Sequence, residues 1–233
     1  MTTRTLDVAS LADARPVHGC AAPGEVLPDW PALFGLGAGR PLELELGFGR
    51  GHFALDHAAG HPELDLVAIE LRRSDCDSLR ERVAKRGLKN LLVLQGDARL
   101  LVPACFGRGA LAAVHVHFPD PWWKKRHWKR RLVDADLSRA LWEPLRPGGE
   151  LDLRTDVPAY AQEALGIFEE AGWTNLDGAG ALSTVTPEVL SSRERRYDRD
   201  GQPVFRMRFA RPAEAAPKTP ARSGREWSDT KRR

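Results

Sequence analysis

Five short apolar runs punctuate this chain: LELEL (42–46), DLVAIE (65–70), LLVLQ (91–95), LAAVHVHF (111–118) and ELDLRT (150–155). Each is short enough for a strand, and helical patterns intervene. HFALDHAAG follows the first run, and SDCDSLRERVAKRG, closed by Gly87, follows the second. DADLSRALWEPL (134–145) carries Leu137, Leu141 and Leu145 at i, i+4 spacing, and VPAYAQEALGIFEEAGW follows the fifth run. PVFRMRFAR (203–211) reads as a late strand. Strands alternating with helices predict an α/β fold, a parallel sheet covered by helices on both faces. A chain of 233 residues holds one such domain, and no linker or repeat interrupts it between Leu42 and Arg211. The reading is a domain over 26–211, preceded by a flexible segment at 1–25 and followed by a disordered, basic tail at 212–233 rich in Pro and Ala.

In open α/β sheets ligands bind at the carboxyl ends of the strands. An acid stands at or just beyond each of those ends here: Glu45, Glu70, Asp97, Asp120 and Asp156. The first run leads into GFGRG, where Gly47 and Gly49 allow a ligand to approach the backbone closely. A dinucleotide would bring its pyrophosphate to this loop, beside Glu45, which repels it; the spacing is also G-x-G-x-G rather than G-x-G-x-x-G. S-adenosylmethionine fits better, because it has no phosphate and carries an ammonium and a sulfonium. Glu70, 21 residues beyond Gly49, is placed to accept from ribose hydroxyls, and Asp97 to meet the adenine edge.

After the fourth run comes FPDPWWKKRHWKRR (118–131). Pro119 and Pro121 fix torsions on either side of Asp120 and restrict the residues before them, which presents a preorganised carboxylate at the strand mouth. Six of the eight residues from Lys124 to Arg131 are Lys or Arg, with no acid among them. A solvated face mixes signs, whereas this block suits a polyanion: Lys and Arg for phosphates, with Trp123, His127 and Trp128 to stack on bases. The net charge is only +3, so the basicity is local.

ELGFGRG, VAIELRR, GDA, FPDPWWKKRHWKRR, LRPGGELDLRTD and SSRERR, in unbroken order over about residues 40–210, resemble the motifs of the bacterial tRNA (guanine-N(7)-)-methyltransferase family. The resemblance implies a class I methyltransferase (Rossmann-like) fold with a mostly parallel, seven-stranded sheet. It implies S-adenosylmethionine as donor and a variable-loop guanosine of tRNA as acceptor. Donor binding then falls to Glu45, Gly47, Gly49, Glu70, Asp97 and Asp120, with Asp120 also catalytic. Substrate contact falls to Lys124, Asp156, Ser191 and Glu194, and tRNA backbone contact to Lys125, Arg126, Lys129, Arg130 and Arg131. The family's late Thr-x-aromatic-Glu appears as Ser191, Ser192, Arg193, Glu194, so Arg193 stands in for the aromatic.

The chemistry agrees, since guanine N7 is a bare lone pair and needs orientation rather than deprotonation. Three other readings fit less well. An NAD-dependent oxidoreductase needs a phosphate beside Glu45. A methyltransferase for exocyclic base amines uses Asn/Asp-Pro-Pro-aromatic rather than Asp-Pro-Trp. A non-catalytic RNA-binding module leaves the acids idle. Three cysteines, Cys20, Cys76 and Cys105, with no C-x-x-C, argue against a disulfide scaffold or a zinc site. With no apolar leader or membrane-length run, the expectation is a cytoplasmic monomer or homodimer, without metal or membrane.

Overall fold

A computed structural model describes residues 27–213; the segments read as flexible (1–25) and disordered (212–233) lie outside it, apart from 212 and 213. The elements run α1 (Trp30–Phe34), β1 (Leu42–Leu46), α2 (His52–Gly60), β2 (Asp65–Glu70), α3 (Arg73–Arg86), β3 (Leu91–Gln95), α4 (Ala98–Cys105) and β4 (Leu111–His117). A 3-10 turn (Lys125–Arg130) then precedes α5 (Ala135–Trp142), β5 (Leu145–Thr155), α6 (Pro158–Glu170), β6 (Thr174–Asn175), α7 (Ser192–Arg199) and β7 (Phe205–Ala210). The seven strands form one sheet in the order β3-β2-β1-β4-β5-β7-β6. The first five are parallel, and β7 runs antiparallel to both β5 and β6. The strand order reverses between β1 and β4, which is where such sheets hold ligands.

The expected strands and helices are present, with shifted edges. Pro144 stops α5, so Leu145 enters β5 instead of extending the helix. The RPGG turn is absorbed within β5: pairing jumps from Leu111–Leu145 to Ala113–Glu150. Gly149 is needed there, because a Cβ would meet the Ala112 carbonyl oxygen at 2.9 Å. Elements α1, α4, β6 and α7 carried no recognised periodicity. Helix α4 holds Pro103 inside it, yet Asp97 caps its start by accepting from the Arg99 N–H at 2.9 Å.

The two faces of the sheet are unlike. One meets α1, α4, α5 and α6 through a continuous apolar layer. Its centre is aromatic: Phe168 stacks on Phe209 with centroids 5.0 Å apart and meets Trp173 edge-on, while Trp173 donates from Nε1 to Ser138 Oγ. On the other face α2 and α3 cover β2 and β3 with a smaller apolar cluster, but β1, β4, β5 and β7 present charged and polar side chains. Cys76 and Cys105 are buried free thiols whose pKa burial pushes up to about 11; Cys20 lies outside the described residues. No helix among the described residues is long and apolar enough to cross a membrane.

Phe168 is fully buried at the junction of sheet and helices. Truncating it leaves a cavity, so Phe168→Ala should lower folding stability by about 3–5 kcal/mol, read as a shifted midpoint in urea unfolding.

Candidate active site

The five acids stand along the carboxyl edge in the spatial order set by the sheet, Asp97, Glu70, Glu45, Asp120, Asp156. Their environments differ. Glu70 is anchored: it accepts from the backbone N–H groups of Gly49 (3.0 Å), Leu71 (2.8 Å) and Arg72 (3.1 Å). It therefore ties the glycine loop to the end of β2. Gly47 and Gly49 both have positive φ, 71° and 55°, which a side chain would strain. Gly51 shares the positive φ, at 65°, and is also held to glycine by packing, because a Cβ there would sit 2.7 Å from Leu79.

Glu45 is buried, and its Oε2 has no hydrogen-bond partner among the described residues. Burial pushes its pKa up to about 8, against the pull of His115 and Arg154. A buried carboxylate oxygen left unpaired is a costly arrangement, and a cation beside it would relieve the cost. Asp120 is exposed and accepts no hydrogen bond among the described residues.

The turn that carries Asp120 is strained. Phe118 and Trp122, on either side of Pro119-Asp120-Pro121, have φ of 51° and 42°. For non-glycine residues such backbone costs about 1–3 kcal/mol each and persists only where the surroundings enforce it. The prolines were expected to hold the preceding residues extended, and Phe118 departs from that. Tertiary contacts override the preference. The Phe118 N–H donates to the Arg154 carbonyl at 2.7 Å, and Arg131 Nε donates to the Pro121 carbonyl at 2.8 Å.

Arg131 is thus a correction to the basic block. It is only 1% exposed, pairs with Glu163 at 2.8 Å, and lies over the rings of Trp128 and Tyr160. A side chain so placed supports the turn from inside and does not reach a polyanion. Trp128 is likewise buried and unavailable for stacking on bases. Lys124, Arg126, Lys129 and Arg130 are exposed, as is Trp123. Lys125 opens the 3-10 turn. From α4, Arg99 donates to the carbonyls of Lys129 and Arg131, fixing the backbone of the block.

Ser191 and Glu194 engage each other at the start of α7. They form the capping box of α7: Ser191 Oγ accepts from the Glu194 N–H, and Glu194 Oε2 accepts from the Ser191 N–H. The Glu194 carboxylate is buried and is held by Arg154 at 2.8 Å and Arg206 at 3.2 Å. Burial pulls its pKa upward, but Arg154 brings it below the usual value. Helix α7 also offers the site Arg193 and Tyr197, one turn apart. Tyr197 donates its hydroxyl to Asp156 at 2.7 Å, and Arg193 lies 3.9 Å from the same carboxylate with its guanidinium over Phe118.

Beneath the site runs a polar network that sequence reasoning missed. Arg154 chelates Asp152, which His117 approaches at 3.2 Å. Phe53 sits among His57, His115, His117 and Arg154. The signal was present as strict alternation, Leu-Glu-Leu-Glu-Leu, Val-His-Val-His and Leu-Asp-Leu-Arg, in strands where a parallel sheet buried on both faces should be apolar throughout.

Known proteins agree with this architecture. The profile of a family described as a putative methyltransferase matches residues 39–207. A tRNA (guanine-N(7)-)-methyltransferase of Anaeromyxobacter dehalogenans is 54% identical over 188 residues, 80% of this chain and 93% of the relative. Another from Myxococcus xanthus is 44% identical over 190 residues, 81% of this chain and 91% of the relative. Among solved structures, the 16S rRNA methyltransferase KamB superposes with a TM-score of 0.56 at 23% identity, covering 74% of this chain and 88% of that one. A 16S rRNA (adenine(1408)-N(1))-methyltransferase variant from Catenulisporales acidiphilia, solved with its cosubstrate, gives 0.57 at 20% identity, covering 81% and 92%. These structures share the fold, the seven-stranded class I arrangement.

Because removing Arg131 leaves half-buried Glu163 and the Pro121 carbonyl without their partner, Arg131→Ala should cost about 1–3 kcal/mol of folding stability. Exposed Arg130→Ala should cost under about 1 kcal/mol. Parallel denaturation curves of the two variants check the contrast.

Proposed function

The chain belongs to the tRNA (guanine-N(7)-)-methyltransferase family, and from that premise we propose that it methylates N7 of a variable-loop guanosine in tRNA, with S-adenosylmethionine as donor. The donor supplies an electrophilic methyl group on a sulfonium. The observation that carries the reading is the pair of carboxylates at the switch point that keep oxygens free for a ligand. Glu45 is buried with an unpartnered oxygen, and Asp120 is exposed on a strained turn beside it in strand order.

The residues present fit the donor. Glu45 offers its unpaired oxygen to a cationic group. Glu70, immobilised by three N–H groups, keeps lone pairs for ribose hydroxyls, and Asp97 stands at the adjoining strand end with one oxygen committed to its helix. At Gly49 the positive-φ backbone leaves open space where a side chain would stand, while a Cβ at Gly47 would touch Leu132 at 3.8 Å. On the acceptor side, Asp120 orients the guanine edge and balances the positive charge that develops on the base. Lys124 lies directly after that turn. Asp156 is already engaged by Tyr197 and Arg193, so it meets the base with α7 attached. Arg193 replaces the family's aromatic with another flat surface, a guanidinium suited to stacking. Lys124, Lys125, Arg126, Lys129 and Arg130 follow the tRNA backbone. The same reading places the enzyme in the cytoplasm, where tRNA is.

Incubation of the protein with tRNA and labelled donor, followed by nucleoside mass spectrometry, should give 7-methylguanosine. A methyl group on an exocyclic amine would sink this reading and favour the amine-methylating alternative.

Asp120→Asn keeps the shape of the turn but loses the charge. Turnover should fall about a hundredfold or more, with fold and donor affinity retained; near wild-type turnover would remove Asp120 from the chemistry. The exposed block should make tRNA binding steeply salt-dependent, each lost phosphate contact reducing the slope of log K against log salt by about 0.7–0.9. Lys129→Glu with Arg130→Glu should abolish tRNA binding in a folded protein that still binds donor.

A further inference from the structure

We propose that Glu43, His57 and His115 form a site for a divalent transition-metal ion of the zinc class, near the amino-terminal edge of the sheet and away from the Asp120 turn. Nothing in the methyl-transfer reading uses these residues. Topology assembles them: Glu43 comes from β1, His115 from the neighbouring β4, and His57 from α2, which crosses that face. The Nε2 atoms of both histidines lie 2.8 Å from one and the same oxygen, Glu43 Oε2. The three ligand atoms all lie within 4.8 Å of one another. A zinc-class ion binds such donors at about 2.0–2.2 Å, which sets donor–donor spacings of roughly 3–3.5 Å, so only small shifts admit it.

Three further observations belong to a metal site rather than to a plain hydrogen-bonded pair. Behind His115, its Nδ1 is buried with no hydrogen-bond partner among the described residues, and Asp152 faces that atom at 3.9 Å. That spacing is too long for a hydrogen bond, and a shift of about 1 Å would give His115 the carboxylate partner that ligating imidazoles carry. In front, the three side chains line a pocket of about 440 Å³ with His61, Glu63 and Glu150, against one guanidinium, Arg146. That pocket leaves room for water to complete the coordination. The His61 ring lies 4.5 Å from that of His57, within reach of the same space.

Two imidazoles and one carboxylate select zinc, cobalt, nickel or ferrous iron over magnesium or calcium, which prefer all-oxygen sets. Binding exchanges the protons between Glu43 and the imidazoles for the ion and releases them to solvent. The ion would staple α2, the helix that the glycine loop opens, to β1 and β4.

The test uses untagged full-length protein stripped with a chelator and titrated with Zn²⁺ and Co²⁺. The expected result is one bound equivalent, with Co²⁺ giving visible d–d bands. Tm should rise by about 5–10 °C at a hundredfold excess over Kd. Glu43→Gln and His57→Gln should each weaken binding by more than the tenfold to hundredfold, roughly, that loss of a supporting partner costs. Zinc X-ray absorption on the wild-type protein should show a nitrogen and oxygen shell with imidazole scattering, a readout that needs no variant to fold. Lack of stoichiometric binding, sulfur in the zinc shell, or unchanged affinity in both folded variants would overturn the proposal.

Discussion

Arg154 is the interaction on which the site depends. One guanidinium in β5 chelates Asp152, pairs with Glu194 of α7 and donates to the Val189 carbonyl, while its own backbone carbonyl receives the Phe118 N–H. It thereby links the central sheet, the loop before α7 and the strained turn that carries Asp120. A guanidinium suits this post because its donors point along fixed directions and it stays charged when buried. Asp152 is held far below the ordinary carboxylate range despite burial that works the other way, through the histidines and Arg154 around it. Replacing such a network with apolar packing would stabilise many proteins as well or better. What the charged version adds here is direction: it fixes how α7 and the loop before it dock on β5.

Arg131 performs the same service from the other side. Six cations in eight residues look uniform in sequence, yet the fold separates them. Four lie exposed, Lys124, Arg126, Lys129 and Arg130, whereas Arg131 turns inward to the Pro121 carbonyl and Glu163. The energetic logic is one of support. Two positive-φ residues and two prolines make the Asp120 turn unfavourable by itself, and two buried arginines bear on its two ends, Arg154 through its backbone carbonyl from the neighbouring β5 and Arg131 through its side chain from the end of the basic block. A preorganised carboxylate needs no rearrangement when charge develops near it, and that readiness rests on these arginines.

The architecture was legible because it rests on local signals. Runs of strand-forming residues, a glycine cap at Gly87 and acids at strand ends are short-range patterns, and they fall where expected. The α4 helix was not legible, since Pro103 reads as a breaker and only packing of Leu101, Val102 and Cys105 secures it. The capping box Ser191–Glu194 was visible as a pattern, but its spacing did not reveal that Glu194 is buried between two arginines, which only the fold brings together. Nor did the sequence reveal the Glu43, His57 and His115 cluster, because no metal-ligand spacing joins residues brought together by sheet topology and a crossing helix. The alternation in β1, β4 and β5 was the one available clue that a face of the sheet is polar.

The acids of the carboxyl edge divide by how fully they are satisfied, and that division assigns their work. Glu70 accepts three N–H groups, Asp97 caps α4, and Asp156 holds Tyr197. These carboxylates shape the site whether or not it is filled. Glu45 has a buried oxygen without a partner, and Asp120 accepts nothing among the described residues. A fold that satisfies nearly every buried polar group leaves the Glu45 oxygen unpaired only at a cost in stability, whereas Asp120 is open to water; both acids flank the point where strand order reverses. In the proposed reaction the unpaired Glu45 oxygen is the one left for a cationic group, while Glu70, Asp97 and Asp156 meet their ligand groups with one or both oxygens already fixed in place. Hydrogen-bond satisfaction thus separates acids fixed in advance from acids left free to take a partner, a distinction that position along the strand edge, where all five look equivalent, does not make.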